Sequence, residues 1–208
     1  RPMIYYALDF MRAAGIKDVL VVVSEGGRAL IENCLGKGEE FGLDLSYRIQ
    51  KDINGTAGAM REVKDFFIGE EIILYYSDNV LLGNNLGNII TTGIKNAREG
   101  RASVLATEVS NPSEYGVLEI DEDGRVLTIE EKPSNPLSNL ISPGIYFYPS
   151  DLVDKLSKVS LSSRGEYEMT EVNEMYLKDG NLCAIRIPSD ARWSDVGDYD
   201  RLLEVSTI

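Results

Sequence analysis

Two aspartates stand where their carboxylates could hold a divalent cation. Asp78 follows the apolar run Ile72–Tyr76 after a single serine, and Asp195 lies in the segment Trp193-Ser194-Asp195-Val196-Gly197. In proteins, Mg²⁺ is commonly bound by one or two carboxylates together with substrate phosphates, so two such groups are sufficient for a metal site. Asp beside Asn or before Gly is also typical of turns and capped loops, and that structural interpretation stays open for both residues.

A glycine-rich segment could approach a ligand closely. Asn54-Gly55-Thr56-Ala57-Gly58 follows Gln50 and opens a predicted helix, where free N–H groups favour anions or polar ligand edges. The segment matches neither a Walker loop nor a dinucleotide-binding fingerprint, so it predicts no particular nucleotide site by itself.

Charged side chains occur at two further predicted element ends. Glu130-Glu131-Lys132-Pro133 ends a strand, and Ser163-Arg164-Gly165-Glu166 precedes a helix. A carboxylate there could bind sugar hydroxyls, and Lys132 and Arg164 could bind phosphates. The structural alternatives are a solvated strand end and a helix cap. Within a regular strand, Glu131 and Lys132 would point to opposite faces.

The composition excludes several kinds of chemistry and partner. The chain has 34 acidic and 21 basic residues, a net charge of −13 and no histidine. Without His, the Ser-His-Asp and Cys-His nucleophile systems and imidazole-ligated zinc are excluded. The negative charge and the scattered Lys and Arg residues argue against nucleic acid and anionic membranes as partners. No apolar run approaches the ~20 residues of a membrane-spanning helix.

The two cysteines and the chain start bear on location. Cys34 and Cys183 match no metal spacing, so we expect free thiols in a cytoplasmic protein, with a single disulfide left open. The sequence as given begins with Arg1-Pro2, and we expect no signal peptide.

Helices alternate with strands along the chain, which predicts one α/β domain with a mixed, mostly parallel sheet. The predicted helices cover 2–15, 28–35, 55–68, 86–99, 166–178 and 199–205. The predicted strands cover 18–24, 43–49, 72–76, 102–109, 116–120, 126–131, 145–148 and 182–187. The solid Val and Leu run at 18–24 indicates a strand buried on both faces. Because ligands bind beyond the carboxyl ends of strands in such sheets, we expect the polar clusters to meet there.

Taken in order, these segments resemble the sugar-1-phosphate nucleotidyltransferase family, most of all its short glucose-1-phosphate thymidylyltransferases. The resemblance runs through the whole chain in the right order and spacing. The segments that carry it are Arg1-Pro2-Met3-Ile4-Tyr5-Tyr6, Ala14-Gly15-Ile16-Lys17-Asp18, Gly38 to Gly42 leading into Tyr47-Arg48-Ile49-Gln50, Ser77-Asp78-Asn79, Glu114-Tyr115-Gly116-Val117, Glu130-Glu131-Lys132-Pro133, Gly144-Ile145-Tyr146-Phe147-Tyr148, Arg164-Gly165-Glu166 with Glu168, Thr170 and Asn173, and Trp193-Ser194-Asp195-Val196-Gly197.

The resemblance implies a Rossmann-like, three-layer nucleotidyltransferase fold and dependence on Mg²⁺. The reaction it implies joins a nucleoside triphosphate, dTTP or UTP, to glucose 1-phosphate and releases pyrophosphate. Carried over by position, the roles it implies are metal binding by Asp78 and Asp195, pyrimidine contacts by Gln50 and Gly55, sugar contacts by Tyr115, Gly116 and Glu131, and phosphate neutralisation by Lys132 and Arg164. The oligomeric state stays open, with a homo-oligomer as one arrangement.

The chain also departs from the family's pattern. Family members begin with a strand and a loop of the form G-G-x-G-T-R, and Arg1-Pro2 resembles the last two residues of the stretch that follows it. We therefore expect a single domain over 1–208 that lacks the first strand and the phosphate loop, with little turnover by itself. Gly58 stands where thymidylyltransferases carry Gln, and Ser142-Pro143 replaces their Val-Thr.

Two other function classes stay open beside the enzyme. One is a non-catalytic, sugar-nucleotide-binding or regulatory homologue that lacks the phosphate loop by nature. The other is a glycosyltransferase, whose metal usually comes from a tight Asp-x-Asp at a strand end. In this chain that spacing occurs at Asp121 and Asp123, within a predicted hairpin turn.

Overall fold

A computed structural model describes residues 1–83, 86–122 and 124–196, so the predicted helix at 199–205 lies outside the described residues. Its helices are α1 (Ile4–Ala13), α2 (Arg28–Leu35), α3 (Thr56–Glu62), α4 (Leu86–Arg98), α5 (Leu152–Leu156) and α6 (Met169–Lys178). Short 3-10 helices cover Glu39–Phe41, Lys64–Phe66 and Pro112–Glu114. The strands are β1 (Asp18–Val23), β2 (Asp44–Ile49), β3 (Ile72–Tyr75), β4 (Asn79–Leu82), β5 (Ala102–Glu108), β6 (Gly116–Ile120), β7 (Val126–Glu131), β8 (Leu140–Ser142), β9 (Ile145–Tyr148), β10 (Leu182–Arg186) and β11 (Arg192–Asp195).

The largest sheet has the strand order β3-β9-β5-β8-β6-β7, with β10 also paired to β5. Two smaller sheets join β1 to β2 and β11 to β4. The predicted mixed sheet is confirmed, but the expectation that it is mostly parallel needs correction. In the described chain, β1–β2 and β5–β10 are parallel, whereas six other pairs are antiparallel. The reason is that β9 runs back between β3 and β5, and the β6–β7 hairpin extends the sheet antiparallel.

Helices cover both faces of the central strands, which confirms the predicted three layers. Successive residues of a strand point to opposite faces, and β9 shows this directly. Phe147 packs in one core with residues of α1 and α4, whereas Tyr146 and Tyr148 pack in another with residues of α3, α5 and α6. Neighbouring β5 divides in the same way, with Leu105 in the first core and Val104 in the second.

Several predicted boundaries shift where tertiary contacts override the sequence pattern. Helix α3 ends at Glu62 because Val63 leaves helical geometry (φ −113°, ψ 14°). Helix α6 begins at Met169 rather than at residue 166, because Glu168 is extended (φ −92°, ψ 137°). The preceding Tyr167 N–H donates to the carbonyl oxygen of Asn54 at 2.7 Å, which holds this stretch against the glycine-rich segment.

The predicted burial of β1 on both faces is wrong. Asp18 is exposed and the five residues after it are only half-buried, although all five are apolar. Within the described residues, β1 pairs only with β2, so its other edge faces an open groove. Strand β3 is half-buried along its whole length for the same reason.

No helix in the described ranges is long and apolar enough to cross a membrane.

A buried lysine gives the fold a pH-sensitive ion pair. Lys155 is 9% exposed, its ammonium lies 5.1 Å from the centre of the Tyr176 ring, and it donates to the Asp179 carboxylate. This hydrogen bond and the positive charge of Lys155 lower the pKa of Asp179. A lowered pKa means that the pair stabilises the fold above the unfolded-state pKa of Asp, about 3.9, and that this stabilisation is lost as pH falls through the folded-state pKa.

We therefore expect Asp179→Asn to lower the melting temperature at pH 7, and the deficit relative to the parent protein to shrink steadily as the pH is lowered below 4. Thermal melts followed by circular dichroism between pH 7 and pH 2.5 would measure this, with Asp65→Asn on a 3-10 helix as the control. A deficit that stays constant over that range would contradict the proposed linkage.

Candidate active site

The structure brings every residue that the sequence predicts for the site into the lining of one groove. The groove has a volume of about 1350 Å³ and runs along the open edge of β1 and past the carboxyl end of β3. The predicted residues that line it are Gln50, Gly55, Asp78, Tyr115, Gly116, Glu131, Lys132, Arg164 and Asp195. Residues predicted from segments more than a hundred positions apart therefore share one surface.

A strand pair that the sequence did not predict positions the two aspartates. Antiparallel pairing of β4 with β11 places Asp195 opposite Asn79, the residue after Asp78. The Val196 N–H also donates to the Asp78 carbonyl oxygen at 2.9 Å. Asp78 lies in a turn, as the structural interpretation of the Asp-Asn pair predicted, and it also lines the groove. Asp195 lies on a strand, so the capped-loop interpretation is wrong for it.

Hydrogen bonds fix the orientation of Asp78. Asn79 is 4% exposed, and its Nδ2 donates to Asp78 Oδ1 at 2.8 Å. In turn, Trp193 Nε1 donates to Asn79 Oδ1 at 2.6 Å, and the Trp193 ring meets Tyr115 edge-on with centroids 5.6 Å apart. Sequence reasoning missed Asn79 and Trp193 as site residues. The sequence did hold a signal for them, because Asn79 directly follows Asp78 and Trp193 stands two positions before Asp195.

The donor set suits a hard divalent cation. Two carboxylates reach the groove from β11 and from the turn before β4, and Mg²⁺ is bound by such a pair when substrate phosphates supply further oxygens. In the part of the chain that the structure describes, no group of three or more His, Cys, Asp or Glu side chains could enclose a metal by itself. The residues therefore fit a metal that arrives with a phosphate ligand.

A backbone distortion brings Lys132 into the groove beside Glu131. Strand β7 ends at Glu131, and Lys132 has a φ of +43°, the one positive value at a non-glycine residue in the described chain. Its N–H donates to the Tyr115 carbonyl oxygen at 2.9 Å. The left-handed conformation breaks the strand alternation that would send the two side chains to opposite faces, so both line the groove. Strained conformations of this kind concentrate at binding sites.

Arg164 lies among three carboxylates. Its guanidinium is 2.8 Å from Glu166, 3.3 Å from Glu168 and 3.8 Å from Glu131. Burial lowers the pKa of Arg164, but the hydrogen bond to Glu166 and the negative charges of Glu168 and Glu131 outweigh it and raise the pKa. The guanidinium is thus held in place and fully charged. The helix-cap interpretation of residues 163–166 is wrong, because α6 begins after Glu168 with no side-chain cap.

Glu131 is fixed by Thr170 as well as by Arg164. The Thr170 hydroxyl donates to Glu131 Oε2, and a Cβ on neighbouring Gly116 would lie 3.4 Å from that hydroxyl. Across the hairpin, Gly116 is the register partner of Glu131. Glu168 accepts a hydrogen bond from Ser162 at 3.0 Å, which holds it beside Arg164. Sequence reasoning did not assign Thr170 or Glu168 to the site, although both follow Arg164 closely in the chain.

The glycine-rich segment is shaped by contacts with Tyr167. Gly55 has a φ of +92°, and a Cβ there would lie 2.6 Å from the Tyr167 carbonyl oxygen. That oxygen accepts the Ala57 N–H at 3.1 Å, so this N–H is not available to an anion. Gln50 Nε2 donates to the Asp52 carbonyl oxygen at 2.8 Å, which orients the Gln50 amide at the rim of the groove.

Asn54 explains why residue 58 is glycine. A Cβ on Gly58 would lie 1.9 Å from Asn54 Oδ1, so the Asn54 side chain occupies the space of any side chain at position 58. Asn54 therefore fills the space in which a Gln side chain at position 58 would begin.

Two tyrosines form part of the groove wall. The rings of Tyr76 and Tyr146 meet edge-on with centroids 5.6 Å apart, and a Cβ on Gly144 would lie 2.2 Å from the Tyr76 ring. Burial raises the pKa of Tyr146 to about 12. This phenol stays protonated at neutral pH, so it can donate a hydrogen bond but cannot act as a base.

Comparisons with known proteins show the family of this chain. The sequence profile described as Nucleotidyl transferase matches residues 1–208. The chain belongs to the nucleotidyl transferase family. A glucose-1-phosphate thymidylyltransferase of Mycolicibacterium smegmatis is 36% identical over 206 residues, which are 99% of this chain and 70% of the relative. One of Neisseria meningitidis is 38% identical over 213 residues, which are 100% of this chain and 71% of the relative.

Solved structures show the same fold. A Bacillus anthracis structure described as a candidate glucose-1-phosphate thymidylyltransferase in complex with sucrose superposes with a TM-score of 0.89. It is 29% identical and covers 99% of this chain and 81% of its own. A UDP-glucose pyrophosphorylase complexed with UDP-glucose superposes with a TM-score of 0.86 at 22% identity, covering 100% of this chain and 86% of its own, and shows the fold alone.

Proposed function

We propose that this protein transfers a nucleotidyl group from dTTP or UTP to glucose 1-phosphate, giving a nucleotide sugar and pyrophosphate. The observation that carries the proposal is the single groove in which two aspartates, a fixed carboxylate and two cations meet, in a chain of the nucleotidyl transferase family. Relatives whose names state this activity cover nearly the whole chain.

The absence of histidine is consistent with this reaction. The phosphate of the sugar 1-phosphate already carries the attacking oxygen as an anion, so no general base is required. Catalysis then rests on positioning and on electrostatic stabilisation of the phosphates in the transition state. The chain has 0 His residues, and the phenol of Tyr146, with its raised pKa of about 12, stays protonated.

Each groove residue has a proposed part in this reaction. Asp78 and Asp195 would hold Mg²⁺, which when bound supplies positive charge to the phosphates. Lys132 and Arg164 neutralise phosphate oxygens. The sugar and the base are recognised by the remaining residues: Tyr115, Gly116 and Glu131 for the sugar, and Gln50 with the backbone of Gly55 for the pyrimidine edge.

We further propose that residues 1–208 form a single domain that lacks the family's first strand and phosphate loop. The open groove beside β1 supports this, because a sheet strand would fit there. Turnover by the 208-residue chain alone is then expected to be small. We also propose the cytoplasm as its compartment.

The test is a matrix of triphosphates against hexose 1-phosphates, with pyrophosphate release as the readout. The 208-residue chain and the longest open reading frame that contains it would both be assayed with Mg²⁺ and with EDTA. We expect the largest release from dTTP or UTP with glucose 1-phosphate, and none with EDTA. Absence of release with every pair would contradict the proposal. Binding of a nucleotide sugar without turnover in either protein would favour the non-catalytic homologue.

A further inference from the structure

A carboxylate at the end of α3 binds the backbone of the segment between β2 and α3. Glu62 is the last residue of this helix. Its Oε2 accepts the Lys51 N–H at 2.9 Å, and its Oε1 accepts the Asp52 N–H at 3.2 Å. Hydrogen bonds to an ionised carboxylate are stronger than bonds between neutral groups. One side chain therefore fixes two consecutive backbone N–H groups.

Asp52 connects Glu62 to the side chain of Gln50. While its N–H is bound by Glu62, its carbonyl oxygen accepts Gln50 Nε2 at 2.8 Å. The Gly55 carbonyl oxygen lies 3.5 Å from the same nitrogen. The backbone of Gln50 is fixed separately, because its N–H donates to the Val23 carbonyl oxygen at 2.9 Å. The position of the Gln50 amide thus depends on Asp52, which Glu62 holds.

The two carbonyl oxygens determine which end of the Gln50 amide faces them. A side-chain amide has an NH₂ group that donates and an oxygen that accepts. A reversed amide would place its own oxygen against the carbonyl oxygens of Asp52 and Gly55. The NH₂ group is therefore committed to the backbone. None of the described residues donates to Gln50 Oε1, and Gln50 lines the groove, so Oε1 is the atom that it offers to a ligand.

An acceptor at this position distinguishes one class of pyrimidine from the other. N3 of uracil and of thymine carries a hydrogen and donates, whereas N3 of cytosine carries a lone pair and accepts. Gln50 Oε1 can bond the first kind of base edge, but it would oppose a second acceptor on cytosine. An unpaired or repulsive contact of this kind is a usual source of specificity, because it penalises the wrong ligand.

We propose that Glu62 is a positioning residue that makes the site select uracil or thymine over cytosine, by holding Asp52 and through it the orientation of the Gln50 amide. The proposal rests on the proposed function, which places the base at Gln50. Glu62 itself is exposed and does not line the groove, so it acts only through Asp52. Without Glu62 the Asp52 carbonyl is no longer held, and the amide can turn its NH₂ group toward a cytosine N3.

The test measures base selectivity as a ratio of dissociation constants. UTP is compared with CTP and dUTP with dCTP, because the members of each pair differ only at the base edge. Isothermal titration calorimetry with Mg²⁺ would use the longest open reading frame that contains the chain. We expect the parent protein to bind the uracil nucleotide more tightly. Glu62→Ala should lower that preference about fivefold, because one net hydrogen bond corresponds to a factor of that size.

Further variants separate the orientation of Gln50 from a general disturbance. In Glu62→Gln the remaining carbonyl oxygen faces two N–H groups that a carboxylate held with two oxygens, so the preference should fall in the same direction. In Gln50→Ala the preference should already be lost, and adding Glu62→Ala should change it no further. Asp65→Asn is the matched control, because Asp65 is an exposed carboxylate three positions along the chain and does not line the groove.

Two readouts show whether Glu62 has a merely structural role. The melting temperature of Glu62→Ala should change little, because the residue is exposed. The KM for glucose 1-phosphate should also stay unchanged, whereas a general loosening of the groove would raise it together with the dissociation constants of both nucleotides.

Four outcomes would overturn the inference. They are no binding of either nucleotide, no preference for uracil in the parent protein, an unchanged preference in Glu62→Ala, and an equal effect of Glu62→Ala with and without Gln50. Failure of the proposed function would look different. Uracil-selective binding that depends on Glu62, without pyrophosphate release from any substrate pair, would contradict nucleotidyl transfer and support the role of Glu62.

Discussion

Asp78→Asn is expected to reduce magnesium-dependent pyrophosphate release by more than about a hundredfold, with little change in thermal stability. The substitution keeps the shape of the side chain and removes the negative charge that a hard cation requires. Loss of a residue that only supports a metal ligand typically lowers metal affinity or activity by about 10–100-fold. Loss of a ligand itself should therefore lower activity further. The backbone carbonyl of Asp78 still accepts the Val196 N–H, so the β4–β11 pair should remain intact.

The measurement needs a readout besides turnover. Binding of Mn²⁺ in the presence of dTTP, followed by electron paramagnetic resonance, should weaken in Asp78→Asn in parallel with the loss of activity. Glu71→Gln is the matched control, because Glu71 lines the groove next to the start of β3, away from the paired aspartates. Full turnover by Asp78→Asn, or equal loss in both variants, would refute the assigned role.

Gly93→Ala is expected to destabilise the protein although alanine favours a helix over glycine. Gly93 lies within α4, and a Cβ there would lie 2.5 Å from ring carbons of Phe147, whose side chain is fully buried. Forcing an extra methyl group into a packed core costs ~1–3 kcal/mol. The gain in helix propensity is at most ~1 kcal/mol. The net loss, up to about 2 kcal/mol, should lower the melting temperature by up to roughly 8 °C.

The sign of this effect should reverse when Phe147 is truncated. Phe147→Ala alone should cost ~3–5 kcal/mol, because a large buried ring is removed. In that background the clash is gone, so adding Gly93→Ala should recover ~0.5–1 kcal/mol through helix propensity. Thermal and urea melts of both singles and the double variant would measure the reversal.

A control for Gly93→Ala exists in the same helix. A Cβ on Gly87 would meet nothing within 4 Å, so Gly87→Ala should leave stability unchanged or slightly raised. If Gly93→Ala lowered stability equally with and without Phe147, the contact with the ring would not be the cause.

Local patterns were sufficient to predict the elements that carry a clear signal. The β6–β7 hairpin was predicted at its observed bounds, because two alternating runs flank the turn segment Asp121-Glu122-Asp123-Gly124. Helix α2 and strand β9 also have their predicted bounds. Strands β4, β8 and β11 were missed because runs of three or four residues are too short for a period to show. Strand β9 is equally short, but its sequence Ile-Tyr-Phe-Tyr is mainly aromatic, which none of the three missed strands is.

The candidate site could be predicted as a set of residues but not as a set of contacts. The resemblance supplied Asp78, Asp195, Glu131 and Arg164, and all of them line the groove. The contacts that hold them depend on residues distant in sequence, such as Thr170 on Glu131, 39 positions apart. No local pattern reports such a pair. The prediction that β1 is buried on both faces failed for a related reason. A run of Val and Leu shows that a strand is apolar, but it does not show which elements lie beside that strand.

The pairing of β4 with β11 sets the order in which the site can come into existence during synthesis. Trp193 and Asn79, which bond across this pair, are 114 residues apart, and Asp195 lies on the last described strand. A nascent chain on the ribosome exposes Asp78 long before it exposes Asp195. The groove therefore gains its second carboxylate only after more than a hundred further residues have been synthesised. Binding of a metal with its phosphate ligand would then distinguish chains that extend past β11 from shorter ones.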